Sequence, residues 1–169
     1  MTRIGRQPAT FPYIPGFLSF REMPAVLDAV DQLPALPDLF LCDGQGIAHP
    51  RRLGIAAHLG LWLDRAAIGV GKTRLCGDHP MPADAKGSQA PLTDGGHRIG
   101  TVLRTRTDVR AVYVSPGHLV SHESAVHWVL STVSRYRLPD PIRAADRAAS
   151  RRDRRRPVKT RQTGGASSG

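Results

Sequence analysis

The sequence predicts an α/β fold of one domain, and three observations carry that expectation. Short apolar runs of strand length alternate with longer apolar stretches of helix length; glycine or a polar residue closes most of the runs; and 169 residues suffice for one real hydrophobic core but not for two full-sized domains. DLFLC, Asp38 to Cys42, is a compact apolar run suited to a buried strand. LGIAAHLGLWL, Leu53 to Leu63, has the length and apolar character of a packed helix, and AIGV, Ala67 to Val70, reads as the next strand. Gly100 to Arg106 and VRAVYV, Val109 to Val114, read as two more. Ser121 then caps a helix reaching about Tyr136, with apolar residues three and four apart. Strand, helix, strand in that order predicts parallel strands joined by right-handed crossovers. Upstream, Ser19-Phe20-Arg21-Glu22 fits a capping box at a helix start, with Pro24 at an early helical position. Gly77 to Gly96, rich in Pro, Gly, Asp and Ser, reads as a surface loop between two ordered halves.

Charge narrows the function. Lys and Arg total 24 against 14 Asp and Glu, a formal net charge of +10, which favours a polyanionic partner: DNA, RNA or an anionic membrane on composition alone. No apolar run approaches the roughly 20 residues of a membrane span, and MTRIGRQPATFP lacks the apolar core of a signal peptide. A soluble cytoplasmic monomer without a membrane partner is expected. Cys42 and Cys76, with no CxxC spacing, are expected to be buried thiols. The basic cluster Arg147 to Arg161 and the ending QTGGASSG divide the chain into an ordered domain over residues 1–150 and a basic, disordered tail over 151–169. That tail is either a solvated end or an arm that holds nucleic acid without reading its sequence.

The candidate chemistry gathers where strands end, because ligands of open parallel sheets bind beyond the strands' carboxyl ends. Asp43 follows DLFLC, Lys72 follows AIGVG, and His118 lies in SPGH after VYV. If the strands are neighbours, an acid, a cation and an imidazole share one rim, where they would hold Mg²⁺, stabilise phosphate charge and position or protonate a phosphate oxygen. Each has a plainer reading. Asp43 before Gly44 is a turn former, Lys72 a surface charge, and His118 a residue of the loop leading into the next helix. Two nucleotide-binding patterns fail. AAIGVGKT, Ala66 to Thr73, lacks the first glycine of a phosphate-binding loop and has its strand signal inside the supposed loop; GQGIAH, from Gly44, has His49 where a third glycine belongs.

Longer blocks add to this reading. PYIPGFLSFRE (Pro12 to Glu22) and DGQGIAHPRRLGIAAHLG (Asp43 to Gly60) resemble the endonuclease V family, as do IGVGKTRLCG (Ile68 to Gly77), VSPGH (Val114 to His118) and YRLPDPIRAAD (Tyr136 to Asp146). The resemblance covers most of residues 11 to 150, in order. It implies a ribonuclease H-like mixed sheet flanked by helices and Mg²⁺-dependent hydrolysis, Mn²⁺ being a possible substitute, of the second phosphodiester bond 3′ to deoxyinosine in DNA or inosine in RNA. Under it, Glu22 and Asp43 become metal-binding carboxylates, His118 an active-site residue near the metal, and Lys72 a contact to phosphate near the cut. Pro12, Tyr13, Ile14 and Pro15 become a wedge that fills the gap left by the turned-out base; two prolines and an aromatic ring suit that task, since a rigid segment replaces stacking at low entropic cost. Gly16, Leu18, Gly44 and Ile55 fall at the pocket for that base, where glycines allow backbone groups to approach its edge.

The chain departs from the family's pattern in two places. Family members carry N-terminal strands, the first bearing an aspartate that completes the metal site; here Met1 to Thr10 precede the wedge and hold no acidic residue. Two of three carboxylates predict weak metal binding and slow turnover, and the missing strands predict an unpaired sheet edge. Gly71 replaces the family's usual alanine, a slight change. The sequence therefore predicts an endonuclease V-type nuclease. The alternatives are a truncated relative that only binds nucleic acid and, more remotely, a nucleoside-triphosphate hydrolase built on GVGKT.

Overall fold

The computed structural model describes residues 1–153. Its elements, in chain order, are α1 (Leu18–Asp31), β1 (Leu39–Asp43), α2 (Ile55–Leu63), β2 (Ala66–Gly71), β3 (Gln89–Asp94), β4 (His97–Leu103), β5 (Val112–His118), α3 (His122–Ser131) and α4 (Asp140–Asp153). The five strands form one mixed sheet in the order β1-β2-β5-β4-β3. Only β1 and β2, joined through α2, are parallel; the other three pairings are antiparallel, against the expectation of a parallel sheet. Chain length between strands explains the difference. A helix-bearing crossover allows the β1–β2 pairing, whereas β3 and β4 are joined by Gly95-Gly96, both at positive φ (57° and 79°), a hairpin that reverses the chain.

β3 lies inside the stretch read from sequence as loop. Its alternation is real, with Ala90 and Leu92 buried and Gln89 and Pro91 exposed, but it is short and interrupted by proline. An edge strand tolerates that proline because one of its sides needs no ladder. β5 runs farther than the sequence suggests, carrying Ser115, Pro116 and Gly117 through to His118, with a register shift opposite Ala67/Ile68. His118 therefore ends a strand and is not part of the loop beyond it.

The strands enclose their apolar side chains between two layers. Ile68, Val70, Leu103, Val112 and Val114 pack with Ala125, Val126 and Val129 of α3 and Ile142 of α4. A second cluster joins Ala48, Ala90, Leu92, Ile99, Val102 and Ala111. Each buried Val, Leu or Ile contributes about 1.5–3 kcal/mol relative to exposure.

Helix ends refine the sequence reading. Ser121 caps α3 as expected, its side chain accepting from the Ser124 amide at 3.0 Å. The helix stops at Ser131, short of Tyr136, where the Thr132 hydroxyl turns back to the carbonyls of Trp128 (2.8 Å) and Val129 (3.1 Å). α1 begins one residue before Ser19, so no capping box forms; the buried Ser19 hydroxyl instead meets His58 Nδ1 of α2 at 3.2 Å. α4 occupies a segment to which periodicity assigned nothing. An acid and a proline in its first turn, Asp140 and Pro141, are the signal that marks it. It continues to Asp153, three residues past the expected domain limit; the rest of the basic tail lies outside the described residues. Cys42 and Cys76 are free; both residues keep partial exposure, and the expected burial holds for the Cys42 thiol itself but not for Cys76. Among the described residues no helix is long and apolar enough to cross a membrane.

Candidate functional site

Two neighbouring parallel strands deliver their ends to the same edge of the sheet, and the site is built there. Asp43 is the last residue of β1 and Lys72 follows the last residue of β2. Lys72 Nζ donates to Asp43 Oδ2 at 2.7 Å, with both side chains about 40% exposed (44% and 40%). An ion pair so open to water adds only about 0–1 kcal/mol of stability, so folding does not account for it. Glu22 reaches the same place from α1. Burial first, and the Asp43 charge second, raise its carboxyl above the ordinary carboxylate range.

These three residues line one cavity of about 790 Å³. Its walls include the residues expected for a base pocket, Gly16, Leu18, Gly44 and Ile55, and its mouth carries Tyr13, Ile14 and Pro15. Pro12 precedes them in the same exposed stretch. Tyr13 is 68% exposed, although water is an unfavourable place for so large a ring, and Ile14 is half-exposed beside it. Gly16 turns the chain at φ 79°, a conformation open to glycine, and its carbonyl accepts from Arg51 Nη1 at 3.3 Å. The Arg51 guanidinium also lies 3.7 Å over the Phe17 ring, a cation–π contact that pins the loop carrying the exposed prolines.

His118 does not join this group. β5 is antiparallel to β2, so His118 pairs with Ala67 at the start of β2, whereas Lys72 follows Gly71 at its end. At about 3.3 Å per residue the two positions are roughly 17 Å apart along the strand. His118 Nε2 meets Asp64 Oδ1 at 3.2 Å instead, and the expected convergence of acid, cation and imidazole reduces to acid and cation. The same strand geometry removes the phosphate-loop reading of AAIGVGKT, because β2 occupies Ala66–Gly71 where a loop would be needed.

The donor set suits a hard divalent cation in kind, since Glu22 and Asp43 offer carboxylate oxygens. It is small in number: among the described residues no group of three or more His, Cys, Asp and Glu side chains is arranged to hold a metal. Sequence reasoning also missed three residues. Arg51, Gln45 and Arg137 act through hydrogen bonds to backbone carbonyls, and such bonds leave no pattern in a sequence.

The family model described as Endonuclease V matches residues 2–147. The chain belongs to the endonuclease V family. A relative from Alkalilimnicola ehrlichii named Endonuclease V is 63% identical over 150 residues, covering 89% of this chain and 66% of the relative. The chain thus spans about two thirds of that relative's length. Among solved structures, endonuclease V from Streptomyces avermitilis superposes with a TM-score of 0.83 at 43% identity, covering 87% of this chain and 64% of that one. Endonuclease V from Ciona intestinalis, solved with a 24mer DNA containing an inosine followed by a ribo-adenosine, superposes with a TM-score of 0.74 at 27% identity, covering 87% of this chain and 70% of that one. The mixed sheet flanked by helices is the ribonuclease H-like fold of endonuclease V structures.

Proposed function

We propose that this chain acts as an endonuclease V-type repair nuclease, hydrolysing the second phosphodiester bond 3′ to deoxyinosine in DNA, or to inosine in RNA, with Mg²⁺ or Mn²⁺. The observation that carries this reading is the shared cavity: two carboxylates in its lining, a lysine bonded to one of them, and an exposed proline-flanked Tyr-Ile pair. In this reading Tyr13 and Ile14, stiffened by Pro12 and Pro15, fill the space the flipped nucleotide leaves in the stack, and that nucleotide enters among Gly16, Leu18, Gly44 and Ile55. Backbone donors and acceptors at the two glycines would read the base edge, which distinguishes hypoxanthine from adenine by one exocyclic group.

Glu22 and Asp43 would hold the metal ion, which when bound polarises the phosphate and lowers the pKa of water. Lys72, already 2.7 Å from Asp43, brings positive charge to the phosphate whose negative charge grows as water attacks. The water oxygen forms the new bond to phosphorus, the bond to the 3′ oxygen breaks, and that oxygen leaves as a hydroxyl. His118, at the far end of β5, has no part in these steps.

Single-turnover cleavage of an end-labelled duplex bearing one deoxyinosine, with Mg²⁺ or Mn²⁺, tests the proposal beside an Asp43→Ala control. The expected result is a nick one nucleotide beyond the lesion that vanishes in the control; lesion binding without a nick would overturn it.

A further inference from the structure

Lys72 leaves β2 on a segment that belongs to no helix or strand, yet its ammonium is placed to hydrogen-bonding distance of Asp43. Two side chains from distant parts of the chain hold that segment. Arg137, in the connection between α3 and α4, donates from Nη2 to the Lys72 carbonyl and to the Ala111 carbonyl, each at 2.7 Å, and from Nε to the Arg110 carbonyl at 2.8 Å. One guanidinium therefore joins the exit of β2, the approach to β5 and the α3–α4 connection. On the other side Gln45, two residues after Asp43, donates from Nε2 to the Thr73 carbonyl at 3.1 Å. The carbonyl of Lys72 and that of the next residue are each fixed by a side chain, and the segment bearing Asp43 is bonded directly to the one bearing Lys72.

Both clamps come at a cost that stability alone does not explain. Gln45 is 9% exposed, and its buried Oε1 has no partner among the described residues. Its amide rests against Gly71, where an added Cβ would fall 2.2 Å from Nε2, so the glycine leaves room for the clamp. Arg137 spends its hydrogen bonds on neutral carbonyls, and burial pulls its pKa below the ordinary arginine value. Lysine cannot do the same work, because a point charge has no planar fork to span three carbonyls.

We propose that Arg137 and Gln45 are positioning residues that fix the Lys72 backbone, and with it the place of the ammonium beside Asp43 and the scissile phosphate. The inference rests on the phosphate role given to Lys72 above. The chain has three lysines, Lys72, Lys86 and Lys159, so ¹³C-dimethylation gives a short lysine spectrum in which Lys72→Arg identifies one signal. Asp43→Asn shows where that signal moves when its acidic partner is lost.

In Arg137→Met and Gln45→Met, the latter removing the bond to the Thr73 carbonyl without changing any charge, the Lys72 signal should move to the Asp43→Asn position. The single-turnover rate should fall on the order of 10–100-fold, the scale of misplacing a catalytic group. Half-saturating substrate should stay within roughly threefold, because placement and not binding is lost. Arg137→Lys restores the charge but not the fork and should leave the rate low. An unmoved Lys72 signal, full rescue by Arg137→Lys, or an effect on half-saturation alone would overturn the proposal. Should Arg137→Met fail to fold, Gln45→Met decides by itself. The spectrum requires no cleavage, so an unmodified protein that leaves deoxyinosine strands intact would refute the nuclease reading and still report on the clamp.

Discussion

At Glu22 the folded protein holds a proton more tightly than the unfolded chain, because burial and the Asp43 charge raise the carboxyl above its ordinary value of 4.5. The sign follows directly. The stabilisation is complete below the unfolded value and is lost as pH rises through the raised, folded one. In metal-free buffer, melting temperatures of the unmodified protein and Glu22→Gln should differ by a constant amount at low pH and shift in the variant's favour as pH rises through that window. Mg²⁺ should then stabilise the unmodified protein more than the variant. A difference independent of pH would mean that the folded state does not raise the Glu22 carboxyl. At Cys42 burial of the thiol pushes its pKa up to about 12. A disulfide reagent near neutral pH should label Cys76 first and Cys42 only on unfolding, as read by mass spectrometry. Asp43 and Lys72 were visible in the sequence because each follows an apolar run. Gln45 and Arg137 were not, since a side chain bonded to a remote carbonyl has no spacing to betray it.

Among the elements, α3 depends on one side chain at its start. Ser121→Ala removes the acceptor for the Ser124 amide and should cost about 1 kcal/mol in denaturant unfolding. The loop after β1 depends on the absence of one: a Cβ at Gly46 would fall 2.1 Å from the Pro116 carbonyl oxygen, so Gly46→Ala should destabilise far more than the cap variant in the same assay. The wedge segment should behave in the opposite way. Tyr13 is exposed, so Tyr13→Ala should leave stability within about 0.5 kcal/mol. Its loss should weaken binding to a deoxyinosine duplex by about 1–3 kcal/mol, the scale of one base–aromatic stack. Equal affinity of the two proteins for that duplex would remove the wedge from the mechanism. β1, α2 and β2 were legible because each is continuous and apolar, whereas β3 was masked by the Pro, Gly and Asp around it.

For the molecule as a whole, the net charge of +10 would make the proposed association with nucleic acid a matter of counterion release. If about six phosphates are neutralised, affinity for duplex should fall on the order of 10³-fold between about 50 and 200 mM salt. Fluorescence anisotropy should give similar salt slopes with and without deoxyinosine, because the proposed wedge and pocket would add contacts that salt does not screen; an affinity indifferent to salt would contradict the charge argument. The sequence by itself determined the α/β class, the family, the parallel β1–α2–β2 unit and the two strand ends that carry Asp43 and Lys72. These follow from local chain properties, the period of apolar residues and the length of the connection. Only the tertiary structure decided that β5 runs against β2, which carries His118 to the other end of the sheet, and that α1 is the element bringing Glu22 to the cavity lined by Asp43. Strand direction and helix docking are set by contacts between residues far apart in the chain, and the burial pattern of an apolar run is the same whichever way its neighbour points.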